Sequence, residues 1–184
     1  MKLRKILVLM VMAALLMPMP MLVMAAHTDS GCDQCHTPHN ADTTVTGAPL
    51  WGRSVTTAAF TPYDSGTLHA TMDAVGGIDG SARLCMSCHD GGGGPSLGTD
   101  LSDMHPVSFV YDSPLALADG GLEDPSVKLS GLTATGTIAD DMLSNDKMQC
   151  ASCHDIHSSG TDKASGYLVM LNTGGALCKT CHIK

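Results

Sequence analysis

All eight cysteines of this chain fall into four pairs of identical spacing. They read Cys32-Asp-Gln-Cys35-His36, Cys85-Met-Ser-Cys88-His89, Cys150-Ala-Ser-Cys153-His154 and Cys178-Lys-Thr-Cys181-His182. Two thiols three positions apart, with an imidazole at the next position, suit one chemistry in particular. The thiols add across two vinyl groups of a porphyrin, and the imidazole sits under its iron. C-x-x-C-H is the attachment motif of haem c. Disulfides, zinc and chance compete with it. Disulfides in an exported protein need no His at a fixed offset. Zinc sites draw a second ligand pair from elsewhere in the chain rather than a His directly after Cys. Chance is remote: a His follows a given Cys about one time in twenty here, and four such events have odds of roughly one in 10⁵. The expected cofactors are therefore four covalent haems c.

The iron count then tests the histidine count. Four six-coordinate irons have eight axial positions, and His36, His89, His154 and His182 fill the four proximal ones. His27, His39, His69, His105 and His157 remain for four distal positions. Bis-His ligation throughout is the economical reading. Met is the rival distal ligand and raises the potential, but Met72, Met86, Met104, Met142, Met148 and Met170 are not needed to complete the set and suit packing better. Two motifs are extended, as His36-Thr-Pro-His39 and His154-Asp-Ile-His157, and each is followed by a plain motif. That is a repeat of two, implying two dihaem modules. A His three residues beyond a proximal ligand cannot reach the other face of its own haem. The expectation is that His39 serves the haem at Cys85/Cys88 and His157 the haem at Cys178/Cys181. His69 and His105 then serve the haems at Cys32/Cys35 and Cys150/Cys153, in either order. His27 is either a free surface side chain or a ligand donated to a neighbouring subunit, since termini are usually loosely held.

The elements that must position these groups are sparse. Aromatic residues make up 3% of the 184 residues, and seven of the 13 Met lie in the first 26. A chain of this size normally buries well over half its unfolded surface around large apolar side chains. Few are present, so the haems themselves are expected to form the core. The fold class expected is haem-organised and mostly loop, with a few short α-helices and little β, as in a multihaem cytochrome c. Ser81 to Leu84 and Ser144 to Lys147 read as N-caps leading short helices into their motifs. The Gly91–Gly94 run reads as a loop, a helical turn is expected over 66–75, and 128–138 is at best a short hairpin.

Residues 1–26 have the pattern of a signal peptide: Lys2, Arg4 and Lys5, then apolar Ile6 to Met17, then Pro18, Pro20 and a small-residue site at Ala25-Ala26. The apolar run is about a dozen residues, short of the roughly 20 that span a membrane. No membrane anchor is expected after cleavage. Removal takes away three positive charges and makes the chain more acidic than its full-length −8, which disfavours nucleic acid as a partner. The expected organisation is signal peptide 1–26, first dihaem module 27–110, a haem-free flap or linker 111–149, and second dihaem module 150–184.

The motifs, their C-x-x-C-H-x-x-H extensions and the His105-Pro-Val-Ser segment resemble multihaem c-type cytochromes of the doubled C-x-x-C-H class, known from metal-reducing and related anaerobes. The size, the tetrahaem count and the early extra His are also similar to subunits of extracellular cytochrome filaments. The resemblance implies electron transfer with redox proteins as partners, in the periplasm or outside the cell. The filament likeness implies a homopolymer built through haem–haem contact and His27. Saturated irons leave no substrate site, so an electron carrier of low potential is expected, not an enzyme. The alternative is a multihaem reductase of a small oxyanion with one open haem. If the haems are the core, the haem-free chain is largely unfolded. Circular dichroism and melting of the apo chain check this, and a compact, cooperatively melting apo form contradicts it.

Overall fold

A computed structural model describes residues 27, 31–43, 50–72, 74–93, 95–157 and 167–183. The expected signal segment, 1–26, lies outside the described residues, as does Gly94. Loops dominate. The regular elements are α1 (Gly80–His89), β1 (Phe109–Val110), α2 (Ser113–Asp119), α3 (Ile138–Met142), β2 (Lys147–Met148) and α4 (Ala176–Cys181), with 3₁₀ turns at Cys32–Gln34, Cys150–Ser152 and Thr173–Gly175. The two strands form a minimal antiparallel ladder, Phe109 opposite Met148 and Val110 opposite Lys147. This is the loop-rich, weakly helical, nearly strandless chain that the composition predicts.

Local chemistry sets the element ends. In α2 the Asp112 carboxylate accepts from the Leu115 N–H at 2.9 Å, a Pro occupies the first turn, and Gly120 in the left-handed conformation ends the helix. In α3 Thr137 and Asp140 form a reciprocal capping box. Two expectations need correction. Ser144 to Lys147 does not start a helix. Asn145 and Asp146 take φ of 53° and 59°, which makes a tight reversal closed between Ser144 and Lys147. Asn and Asp tolerate that conformation, and such turns join antiparallel strands. Over 66–75 the described residues hold a turn at 65–68, closed by the Leu68 N–H on the Ser65 carbonyl, rather than a helical turn. The 128–138 segment does close on itself, with Leu129 bridged to Thr137.

Packing gathers into two small clusters. One holds Phe109, Tyr111, Ile138, Met142, Met148 and Leu177 with the buried Cys181, and Cys153 packs against it. The other holds Phe60, Ile78, Ala82, Met86 and Leu101, with Cys150 packed against it. Segment 111–149 thus supplies buried side chains to the first cluster. The third motif touches both clusters, one with each cysteine.

The start of α1 is tied to the second half of the chain. Its N-cap, Asp79, makes no side-chain cap bond. Its carboxylate instead accepts from Lys147 Nζ at 2.5 Å and Gln149 Nε2 at 3.0 Å. Burial opposes ionisation of Asp79, but the hydrogen bonds of Lys147, Gln149 and Ser108 outweigh it and hold the carboxyl below its ordinary 3.8. A depressed folded value means that the contribution is complete above the unfolded value and disappears as pH falls through the folded one. Stability is therefore expected to fall as pH drops below 3.8, and Asp79→Asn to lose that part of the acid slope. Denaturant titrations at stepped pH check this, and identical slopes for the two proteins count against the ion pair.

Candidate functional site: four cysteine-histidine turns and their imidazole pairs

Each motif closes a single helical turn. The His36 N–H donates to the Cys32 carbonyl at 2.8 Å, His154 to Cys150 at 3.0 Å and His182 to Cys178 at 2.9 Å. The second motif lies in the last turns of α1. Positions i, i+3 and i+4 share one face of a helical turn, so both thiols and the imidazole of each motif face the same side. The eight cysteines form no disulfide with one another, and among the described residues no three His, Cys, Asp or Glu side chains converge to hold a bare metal ion.

Burial, then the neighbouring Cys88, pushes the Cys35 thiol up. The interaction of the Cys85 and Cys150 thiols raises Cys150 and lowers Cys85. Burial and then Cys178 push Cys153 up, and burial followed by Cys153 takes Cys181 up to about 11.

Three imidazole pairs lie across the site. The ring centres of His36 and His157 are 6.0 Å apart with planes 29° apart, those of His27 and His89 5.9 Å apart at 45°, and those of His105 and His182 6.3 Å apart at 79°. Each pair joins one motif His to one His from elsewhere. A metal–imidazole bond is about 2 Å and the ring centre lies about 1 Å further, so two imidazoles on opposite sides of one metal have centres roughly 6 Å apart. For the first, second and fourth motifs the donor set therefore fits haem c: two thiols and an imidazole on one turn, and a second imidazole at the spacing that a metal between two rings would need. His89 meets His27, and His157 meets His36, two pairs that the spacing argument does not name. His27, expected to be free or lent to another subunit, is in ring contact within its own chain.

Backbone and carboxylate partners orient several of these rings. His89 Nδ1 donates to the Pro95 carbonyl at 2.8 Å and His105 Nδ1 to the Pro106 carbonyl at 2.9 Å. An Nδ1–H committed to a carbonyl leaves the lone pair on Nε2, the arrangement of metal-ligating His. His69 Nδ1 is 3.1 Å from the Asp119 carboxylate. Burial, then His89 and His157, holds His27 below the ordinary imidazole value, which favours the neutral form a ligand needs. The edge of Tyr167 rests against His27 at 5.8 Å. The His39 side chain is exposed, and its backbone exchanges hydrogen bonds with the Thr37 hydroxyl. None of these supports has a sequence pattern that announces it, since the carbonyls of Pro95 and Pro106 and the carboxylate of Asp119 reach the rings only in the folded chain.

The His105–His182 pair sits in a cleft of about 770 Å³, counting solvent at its mouth, which also holds Cys181 and His69 and has walls of Tyr63, Phe109 and Tyr111. A flat apolar group with aromatic neighbours suits such walls. The Tyr111 hydroxyl donates to the Glu123 carbonyl at 2.6 Å, and burial pushes its ionisation up. The first motif is strapped by residues 50–53. Thr37 N–H donates to the Leu50 carbonyl, Gly52 N–H to the Cys35 carbonyl, and Arg53 to the Gln34 carbonyl.

Residues 144–184 match the family described as the doubled CXXCH motif. Among curated proteins none matches the chain. The match spans the third and fourth motifs and supports a multihaem c-type cytochrome as the class, with covalently bound c-type haem. No helix among the described residues is long and apolar enough to cross a membrane.

The strap is close enough to test. A Cβ on Gly52 would lie 3.1 Å from the His36 carbonyl carbon and 3.2 Å from the Thr37 nitrogen, both backbone. Gly52→Val is expected to lower haem occupancy of the Cys32/Cys35 peptide without affecting the Cys178/Cys181 peptide. Peptide mass spectrometry of the purified protein reads this, and equal occupancy of both peptides contradicts it.

Proposed function

We propose that this protein carries electrons through four covalently held c-type haems, each ligated by two imidazoles, as an exported carrier of low potential. The observation that carries the reading is the set of three imidazole pairs at 5.9–6.3 Å, each with one motif His. When bound, haem c supplies reversible one-electron chemistry at its iron. The thioether-forming cysteines are Cys32, Cys35, Cys85, Cys88, Cys150, Cys153, Cys178 and Cys181. Haem would be held between His36 and His157, between His89 and His27, and between His182 and His105. His154 takes its partner from His39 or His69. The Asp119 contact favours His69, because ligating imidazoles commonly hold a carboxylate on their other nitrogen.

The residues explain why transfer is favoured over catalysis. A haem held between two imidazoles would offer no open position to a substrate, which favours transfer at the three motifs whose His is paired. Imidazole in place of Met keeps the potential low, and the net −8 of the chain stabilises the oxidised, more positive iron further. In this reading His27 serves its own chain, so polymer formation does not depend on it. The leader-like pattern of residues 1–26 and the compartment in which c-type cytochromes work support export.

Single replacement of His27, His105 or His157 by Ala is expected to convert one haem from low to high spin while all four stay attached. Of His39→Ala and His69→Ala, only one is expected to do the same. Electron paramagnetic resonance with whole-protein mass gives both numbers. Fully low-spin spectra in the first three variants would sink the axial assignments.

A further inference from the structure

A polar network with no part in ligation joins the second motif to the third. Gln149, 2% exposed, directly precedes Cys150. Its Oε1 accepts from the Ala82 N–H in the first turn of α1 at 2.9 Å, and its Nε2 donates to Asp79 Oδ1 at 3.0 Å. Asp79 Oδ2 holds Lys147 Nζ at 2.5 Å. The Asp79 N–H donates to the Ser108 hydroxyl at 3.0 Å, and the Ser108 N–H donates to the Met148 carbonyl at 2.6 Å. Gly80 makes room: its φ is +52°, and an added Cβ would lie 3.0–3.4 Å from the Gln149 carboxamide.

We propose that Asp79, Lys147 and Gln149 are positioning residues that fix the separation of the second and third haem-attachment sites and so set the electronic coupling between the haems they carry. The proposal rests on the haem reading above. The geometry leaves little slack on either side. Cys85 lies one turn beyond Ala82 in α1, and Cys150 is the residue after Gln149, so a shift of the network moves one cysteine relative to the other. Cys150 also packs against the cluster that contains Ala82 and Met86 of α1. Apolar contact alone would let the two segments slide, because the hydrophobic effect has no direction. Hydrogen bonds through a carboxamide and a carboxylate have defined angles and distances, so they specify one register. Lys147 neutralises Asp79, so the network positions without adding net charge beside the haems.

The test compares holoprotein of wild type, Gln149→Leu, Asp79→Asn and Thr137→Ala. The last removes the capping box of α3, away from the network and the cysteines, and controls for general loss of stability. Peptide mass spectrometry reports haem on the Cys85/Cys88 and Cys150/Cys153 peptides, and circular dichroism reports the bisignate Soret couplet that arises from coupled haems. Both network variants are expected to keep haem on both peptides and low-spin spectra, yet to lose couplet amplitude. Thr137→Ala is expected to keep the wild-type couplet. An unchanged couplet in both network variants, with haem intact, overturns the positioning role. A wild type without haem on those peptides overturns the haem reading itself, and this proposal with it. Should Gln149→Leu yield no holoprotein, Lys147→Gln gives the same comparison with a milder change.

Discussion

The hydrogen bond from each motif imidazole's own backbone N–H back to the first cysteine carbonyl is the constraint on which this structure depends. It folds five residues into one turn and puts two sulfurs and a ring nitrogen on one side. For three of these turns the rest of the chain brings a second imidazole to the motif His. With so few large apolar residues, the polypeptide does this through loops held by backbone bonds, such as the 50–53 strap over the first motif, rather than through long packed helices.

Much of this is legible in the sequence. Eight cysteines in four identical frames state the attachment chemistry, and scarce aromatic residues state that the fold is loop-rich. The turn at Asn145-Asp146 is legible too, but the capping preference of Ser144 competes with it and points to a helix. Imidazole pairing is not legible. The spacing of His36 and His39, or of His154 and His157, says only that the second ring cannot serve its own iron; it does not say which neighbour it reaches. That choice depends on how loops from distant parts of the chain cross. His157 meets His36 and His27 meets His89 because of tertiary placement alone. The same holds for Asp119 beside His69, fifty positions apart.

The pairings also show how the two halves are interleaved. His157 follows the third motif but faces the first, and Lys147 and Gln149 reach back to the start of α1. Segment 111–149, which holds no Cys or His, is more than a spacer. Tyr111, Ile138, Met142 and Met148 build the wall against which Leu177 and Cys181 pack. A stretch without ligands can still decide where ligands sit.

The third motif leans on both packing clusters at once, Cys150 on one and Cys153 on the other. Two adjacent sulfurs therefore act like a keystone between arches that do not otherwise share a cysteine. Injury at Gly91-Gly92-Gly93 would fray one exposed bend, whereas injury at Cys150 to Cys153 unseats both arches together. If the proposed haems pass electrons along the chain, the same short stretch is the point at which a break would leave two disconnected ends.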